Sequence, residues 1–282
     1  MDEILRGAGG TQTLRTYDAD GNPADVDGTN PPTVQVTDSA GATVPGFSAS
    51  RSSVGVYTLE VPASLQVLDV YQVAWSWPNG QSRRTAFELV GGFLFSVADA
   101  RSLAADPLAD ATRYPAEDIV RAREAVSERF ERWCGLAFRP RGRRAVLDGT
   151  GRSLLVLPDE RCLRIVSVQV DGQALTSEQL GQLRLDPAGL LRWVSGTWPV
   201  GVDNVVVLYE HGYDPTPEPV VRAAVRYARH LLAGSPYDDR ATAVFTDVGG
   251  FRLNLAGRDG PTGLPEVDAV LAEYAGIRMA MA

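Results

Sequence analysis

Residues 70–90 read VYQVAWSWPNGQSRRTAFELV. Two alternating runs flank Pro78-Asn79-Gly80. In the first, Tyr71, Val73 and Trp75 share a face, because successive side chains of a strand point to opposite sides. Asn79-Gly80 supplies residues that tolerate the positive φ of a tight turn. The stretch predicts a β-hairpin whose second strand covers 83–90. Upstream, similar runs recur at 11–17, 33–37 and 57–61, separated by DADGNP, DGTNPP and DSAG. Short strands at this spacing with Gly/Pro/Asn/Asp punctuation predict a sandwich of immunoglobulin-like type, without a disulfide. Val34, Val36, Tyr57, Leu59, Tyr71, Val73, Trp75 and Phe87 are its expected core. Gly91-Gly92 reads as a flexible joint, so residues 1–92 are expected to form a separable domain.

From Phe93 the pattern turns helical. Ser96 and Asp99 have capping-box spacing for a short helix to about residue 105. Pro115, Glu117 and Asp118 open the clearest helix, and Gly135 ends it. Ile119, Ala122, Val126, Phe130 and Trp133 make its apolar stripe. Its other face carries Arg121, Glu124, Glu128 and Arg132, suited to water or to neighbouring subunits. A β section follows over about 143–213, with strands at 145–147, 154–157, 165–170, 183–185, 190–194 and 205–209. Helix returns at TPEPVVRAAVRYARHLLAG, with Val221, Val225, Ala228 and Leu232 as its stripe. A C-terminal arm over about 241–282 holds a hairpin, AVFTDVGGFRLNL, and a last helix from Pro265. The expected class is α+β, with residues 93–282 as the second domain.

The chain has 282 residues and a formal net charge of −8. All 27 basic residues are arginine. That excludes a Schiff-base, P-loop or kinase lysine. Two cysteines, Cys134 and Cys162, make no disulfide framework and sit at no metal spacing. The opening MDEILRGAGG lacks the apolar run of a secretory signal, and no stretch is long enough to span a membrane. Synthesis and folding in a cytoplasm are expected. No G-x-S-x-G, H-E-x-x-H, Walker loop or dinucleotide fingerprint occurs, so no catalytic, cofactor or metal residue is assigned and no enzyme is expected. Glu210-His211 is the one acid–histidine neighbour pair, read as a backbone-bonded turn before Gly212. His230 reads as solvated or interfacial, and both cysteines as packing residues. Asp18, Asp20, Asp25 and Asp27 lie in a loop lacking the Gly and Glu spacing of a calcium hand. They read as a polar turn.

The sharpest charge feature is RPRGRR, with Arg139, Arg141, Arg143 and Arg144. It has two readings: contact with DNA or other phosphate, or a solvated helix end and loop paired with acids of this or a neighbouring chain.

Three phrases together carry a resemblance. YPAEDIVRAREAVSERFERWCGLAF follows the first short helix. VVVLYEHGYDPTPEPVVRAAVRYARHLL joins the β section to the next long helix. VGGFRLNLAGRDGPTGLPEVDAVLAEY lies in the arm. In order and spacing, residues 93–282 resemble the head-to-tail connector (adaptor, or head completion) proteins of tailed bacteriophages, in particular those of phages of actinobacteria. Such hosts fit the absence of lysine. The resemblance implies a structural virion protein of the neck, assembled in the bacterial host cytoplasm. It implies a ring of copies, usually twelvefold, between the portal protein and a downstream neck or tail protein. DNA would pass through transiently, without sequence-specific binding, and an acidic average charge suits such a conduit. Arg121, Glu124, Glu128 and Arg132 are then the expected inter-subunit residues. Phe251, Leu253, Leu255, Val267, Leu271 and Tyr274 are the expected portal-contact arm. Arg139, Arg141, Arg143 and Arg144 would face the DNA channel or other phosphate. The resemblance does not cover the sandwich; as a hinged add-on it is expected on the ring's outside, touching capsid or a neighbouring adaptor rather than DNA. The rival classes are another virion or tail protein with an immunoglobulin-like recognition domain, and a glycan-active enzyme.

Overall fold

The computed structural model describes residues 2–103, 108–233, 243–246, 249–252 and 260–275. The chain is mixed α+β, with a β-sandwich and a helical part. Eight strands precede Gly91: β1 (Asp2–Leu5), β2 (Gly10–Arg15), β3 (Thr33–Thr37), β4 (Thr43–Val44), β5 (Ser48–Ser53), β6 (Val56–Val61), β7 (Val70–Ser76) and β8 (Ser82–Val90). They form a five-stranded sheet in the order β1-β8-β7-β3-β4 and a three-stranded sheet in the order β2-β6-β5. One core joins the two, because Val36, Tyr71, Val73, Trp75 and Phe87 of the first cluster with Tyr57, Leu59 and Val61 of the second. The period-two alternation that the hairpin displays in sequence is what puts these residues there. Tyr71 lies directly opposite Phe87, with the rings stacked at 5.2 Å, a pairing worth about 0.5–1.5 kcal/mol beyond area burial. The turn is longer than the sequence suggests. Trp77 N–H donates to Gln81 O and Gly80 N–H to Trp77 O, both at 3.0 Å, and of Asn79 and Gly80 only Gly80 takes a positive φ, 82°.

The second stretch of β structure comprises β9 (Arg141–Gly149), β10 (Leu154–Val156), β11 (Cys162–Val170), β12 (Gln173–Ala174), β13 (Leu183–Leu185), β14 (Leu190–Trp193) and β15 (Gly201–His211). They make a four-stranded sheet, β12-β11-β15-β9, and a three-stranded sheet, β10-β14-β13. Ala145, Leu155, Val168, Leu191, Trp198, Val207 and Tyr209 share its core.

The chain divides into two compact units, one of residues 1–92 with 139–212 and one of residues 93–138 with 213–282. The β section, expected inside the second domain, groups with the sandwich. The flexible joint expected at Gly91-Gly92 is closed: Gly91 N–H donates to Pro140 O at 2.9 Å, and a Cβ on Gly91 would lie 2.6 Å from Pro140 Cβ. Gly142 comes closer still, since a Cβ there would stand 1.7 Å from the Leu68 carbonyl oxygen. Backbone rather than a side-chain tip is in the way, so Gly142→Ala is expected to destabilise this unit by about 1–3 kcal/mol. Urea unfolding of the variant checks this, and an unchanged midpoint would contradict so close an approach.

The helical unit holds α1 (Val97–Leu103), α2 (Ala116–Cys134), the 16-residue α4 (Glu218–Ala233) and α5 (Pro265–Tyr274). A short α3 (Ser177–Gly181) belongs to the β section. The capping box expected at α1 is present, with Ser96 N–H bonded to Asp99 Oδ2 at 2.8 Å and Asp99 N–H to Ser96 Oγ at 3.0 Å. That bonding holds the Asp99 carboxyl below its usual range. α2 ends where Gly135 turns left-handed at φ 73°. Ile119, Val126, Phe130, Phe138, Val220, Ala224, Tyr227, Val267 and Leu271 fill one core. The hairpin expected in the arm is β16 (Ala243–Thr246) paired with β17 (Gly249–Arg252).

Candidate interaction surfaces

α2 presents the charged face read from its sequence. Arg121, Glu128 and Arg132 are exposed and Glu124 half-buried. Arg121 reaches Glu117 and Asp118 at 3.2 and 3.3 Å, and Arg132 pairs with Glu128. These exposed pairs lie within one helix turn and contribute a few tenths of a kcal/mol each. The inward stripe differs from the expected one at its end. Cys134 takes the buried position and Trp133, about 100° away round the helix, is 50% exposed. Arg123, Ser127 and Glu131 are buried beside the apolar residues. Arg123 is accommodated by the Phe93 ring, 3.5 Å from its guanidinium carbon.

The arginine cluster is not the loop expected from its composition. Arg141, Arg143 and Arg144 belong to β9, and each of the first two meets a carboxylate. Arg141 Nε donates to Glu88 Oε1 at 2.6 Å, and Arg143 to Asp159 Oδ1 at 2.7 Å. Arg139, just before the strand, is 1% exposed and pairs through both terminal nitrogens with Glu3. A buried, paired guanidinium offers DNA nothing, so Arg139 is withdrawn as a phosphate contact. Arg144 is half-buried and makes no ion pair among the described residues. Glu210, also buried, accepts Arg6 at 2.7 Å and Arg164 on the same oxygen, Oε1. A run of four arginines cannot announce these partners, because Glu3, Arg6 and Glu88 are remote in sequence.

His211 lies in the same network. Its Nε2 stands 3.8 Å from Asp159 Oδ2, which accepts the Tyr209 hydroxyl at 2.6 Å. Burial lowers the His211 pKa; Asp159 and Glu88 oppose the shift, and Arg141 and Arg143 add to it. Burial likewise pushes the Cys134 and Cys162 thiols up to about 11, which leaves them as inert packing groups. With the folded pKa below the unfolded 6.5, the unfolded chain binds more protons in between. The His211 contribution to stability is therefore complete above pH ~6.5 and is lost as pH falls through the lower, folded value. His211→Gln should flatten the decline of melting temperature below pH ~6.5. An unaltered decline would show that His211 binds its proton equally well in the folded and the unfolded chain.

The acidic loop is engaged internally. Asp18 Oδ1 accepts Asp20 and Asn22 N–H, closing a turn. Asp25 is held by Arg51 at 2.9 and 2.8 Å and by Gly55 N–H, and its pKa falls to about 2, chiefly through Arg51.

Of the expected portal-contact arm, Val267 and Leu271 are buried in the helical core and Tyr274 is partly buried against Phe138 and Tyr213. They are not a free docking strip. Phe251 lies in β17, while Leu253 and Leu255 fall outside the described residues. A groove of about 510 Å³ runs between α4 and α5, lined by Glu218, Arg222, Ala223, Arg226, Val267 and Val270. Arg222–Glu218 and Arg226–Glu266 pairs rim it. The sequence reading did not find it; the 218, 222, 226 spacing signals only its α4 side, and its α5 side needs the fold.

Among the described residues no helix is long and apolar enough to cross a membrane, and no three His, Cys, Asp or Glu side chains could hold a metal ion. Comparison with protein-family models gives no match, and comparison with curated proteins gives none. Among solved structures, the chain is similar to the crystal structure of the Lin-41 filamin domain, at 16% identity over 32% of this chain and 85% of that one, with a TM-score of 0.25.

Proposed function

We propose that this chain is a structural protein of a tailed-phage neck, forming a ring between portal and tail that extends the DNA channel and completes the head. One observation supports the reading above others. The three connector-like phrases, more than a hundred residues apart at their extremes, contribute to a single core: Ile119, Phe130 and Phe138 from the first, Val220 and Tyr227 from the second, Val267 and Leu271 from the third. A resemblance scattered along a chain gains weight when its pieces make one folding unit. On this reading the helical unit is the connector domain. The sandwich is immunoglobulin-like, a reading favoured by strands that cross between its facing sheets, β4 to β5 and β6 to β7.

The α2 face is the proposed contact between copies. Glu128→Arg with Arg132→Glu keeps the in-helix pair and inverts the pattern shown to a neighbour. The double variant, co-expressed with the portal protein, should no longer join portal rings in sedimentation or negative-stain images. Normal joining would remove α2 from the interface. A map of the particle neck without this chain would overturn the function itself.

A further inference from the structure

One end of the four-stranded sheet holds two valines out in water. Val200 and Val202 are 82% and 81% exposed, so neither adds to the core. Their backbone is nonetheless fixed. Asn204 Oδ1 accepts Gly149 N–H at 2.8 Å, and its Nδ2 donates to Pro199 O and Asp171 Oδ1, both at 3.2 Å. Asp203 sits left-handed at φ 52°, with its N–H on Asp148 Oδ1 at 2.7 Å. Buried Trp198 anchors the start of the segment through Nε1 to Ser153 O at 3.2 Å. Exposed Asp148, Asp171 and Asp203 lie at the same end of the sheet, Asp148 and Asp171 tied to Asp203 and Asn204 by the bonds above, with Arg152 in the adjoining turn. The result is a rigid, apolar, acidic tip.

The same unit carries a surface of opposite character. In the sheet β10-β14-β13, Leu155, Leu183 and Leu191 point into the core. Register then puts Leu154, Val156, Leu190, Arg192 and Arg184 on the outer face. Val156 lies opposite Leu190, and Arg192 lies opposite both Leu154 and Arg184. Val156 is 63% exposed and Leu190 39%. Two arginines directly across a ladder repel each other; the one acid the ladder brings to this side is exposed Asp186, just past β13, whose N–H bonds Leu190 O at 2.9 Å. Arg184 is turned onto the Gly181 and Leu183 carbonyls at 2.9 and 3.0 Å, and two cations facing one Asp186 leave the face net positive. An anionic partner with apolar side chains would complement it.

We infer that the Val200/Val202 tip of one copy docks on the Arg184/Arg192 face of a second copy. Charge is complementary, and the exposed valines match the Val156–Leu190 pair, which would gain nothing from a nucleic-acid phosphate. The two patches differ, so the contact can repeat from copy to copy. It requires self-association and does not depend on the neck reading or on the α2 face.

The test uses the full chain in sedimentation velocity and light scattering. Val200→Ser with Val202→Ser, at positions outside the core, should weaken self-association about tenfold or more without lowering the melting temperature. Asp148→Arg with Asp203→Arg, and separately Arg184→Glu with Arg192→Glu, should each do the same by setting like charges against each other. Mixing these two reversed proteins should restore assembly, because each then offers a tip complementary to the other's face. The valine variant reads the contact even if a reversed protein fails to fold. A wild-type chain that stays monomeric to ~100 µM, or assembly indifferent to the valine changes, would overturn the inference. So would loss of duplex-DNA binding, with self-association intact, in Arg184→Glu/Arg192→Glu. Loss of assembly only in the α2 double variant would sink this contact while leaving a ring through α2 standing.

Discussion

Arg139→Ala is expected to destabilise the protein by about 3–5 kcal/mol, because it strands the Glu3 carboxylate in the interior without its counter-charge. Arg139 is 1% exposed and Glu3 is 8% exposed, so water cannot take over the lost interaction. Glu3→Ala should also destabilise, because it removes the carboxylate that both terminal nitrogens of Arg139 engage. Replacing both, as Glu3→Leu with Arg139→Met, should recover most of the loss, since a buried ion pair gains little over a well-packed apolar pair of similar size. Denaturant unfolding of the three variants completes the cycle. The buried pair should also resist salt, whereas the exposed Arg132–Glu128 pair should be screened. If Arg139→Ala costs under ~1 kcal/mol, the pair is solvated and the first strand is not tied down by charge. The consequence reaches beyond one contact. Glu3 and Arg139 are 136 residues apart and lie on either side of the 93–138 segment that belongs to the other unit. With Glu88–Arg141 and Arg6–Glu210 they fasten the β section to the sandwich, so residues 1–92 expressed alone would carry Glu3 and Glu88 without these arginines.

What the sequence made legible was local. β3 matches its expected range residue for residue, and β6, β7 and β8 fall within a residue or so of theirs, because period-two alternation and Gly/Pro/Asn turns are both written in short windows. The α2 and α4 helices were legible for the same reason. β5 was not: SASRSS has no apolar alternation, and it is a strand because β6 offers it a ladder. β1 was missed because its four residues pair in parallel with β8, a partner more than eighty positions away. The arginine run pairs with acids of this chain, as one of its two readings had it, but that Arg139 is buried was hidden for the same cause. Composition reports charge, while burial is decided by which distant acids arrive. Trp133 and Cys134 show the limit at finer scale: a helical period tolerates either as the inward residue, and packing against the neighbouring helices chose the smaller.

Leu271→Ala is expected to cost about 2–5 kcal/mol, and removal of everything after residue 234 should leave the helical unit without a fixed core. Leu271 is fully buried and Val267 nearly so. The Leu271 carbonyl accepts the Cys134 thiol at 3.5 Å, and Tyr274 meets Phe138 edge-on at 5.5 Å. The approach to the helix is equally specific. Asp268 Oδ1 accepts both the N–H and the hydroxyl of Thr262, at 3.0 and 2.6 Å. A Cβ on Gly260 would stand 2.0 Å from Asp268 Oδ2. A segment that gains order only on meeting a partner has no reason to carry such contacts in the free chain. Truncation should therefore abolish near-ultraviolet circular dichroism from the helical unit and expose Cys134 to thiol reagents, with helix content partly retained. On the proposed neck reading, a failure of that protein to join portal rings would then report misfolding, and Leu271→Ala tests the same point more gently. If α5 served only as a docking arm, Leu271→Ala would weaken portal binding at unchanged stability. A truncated chain that melts at the wild-type temperature would restore the arm to that role.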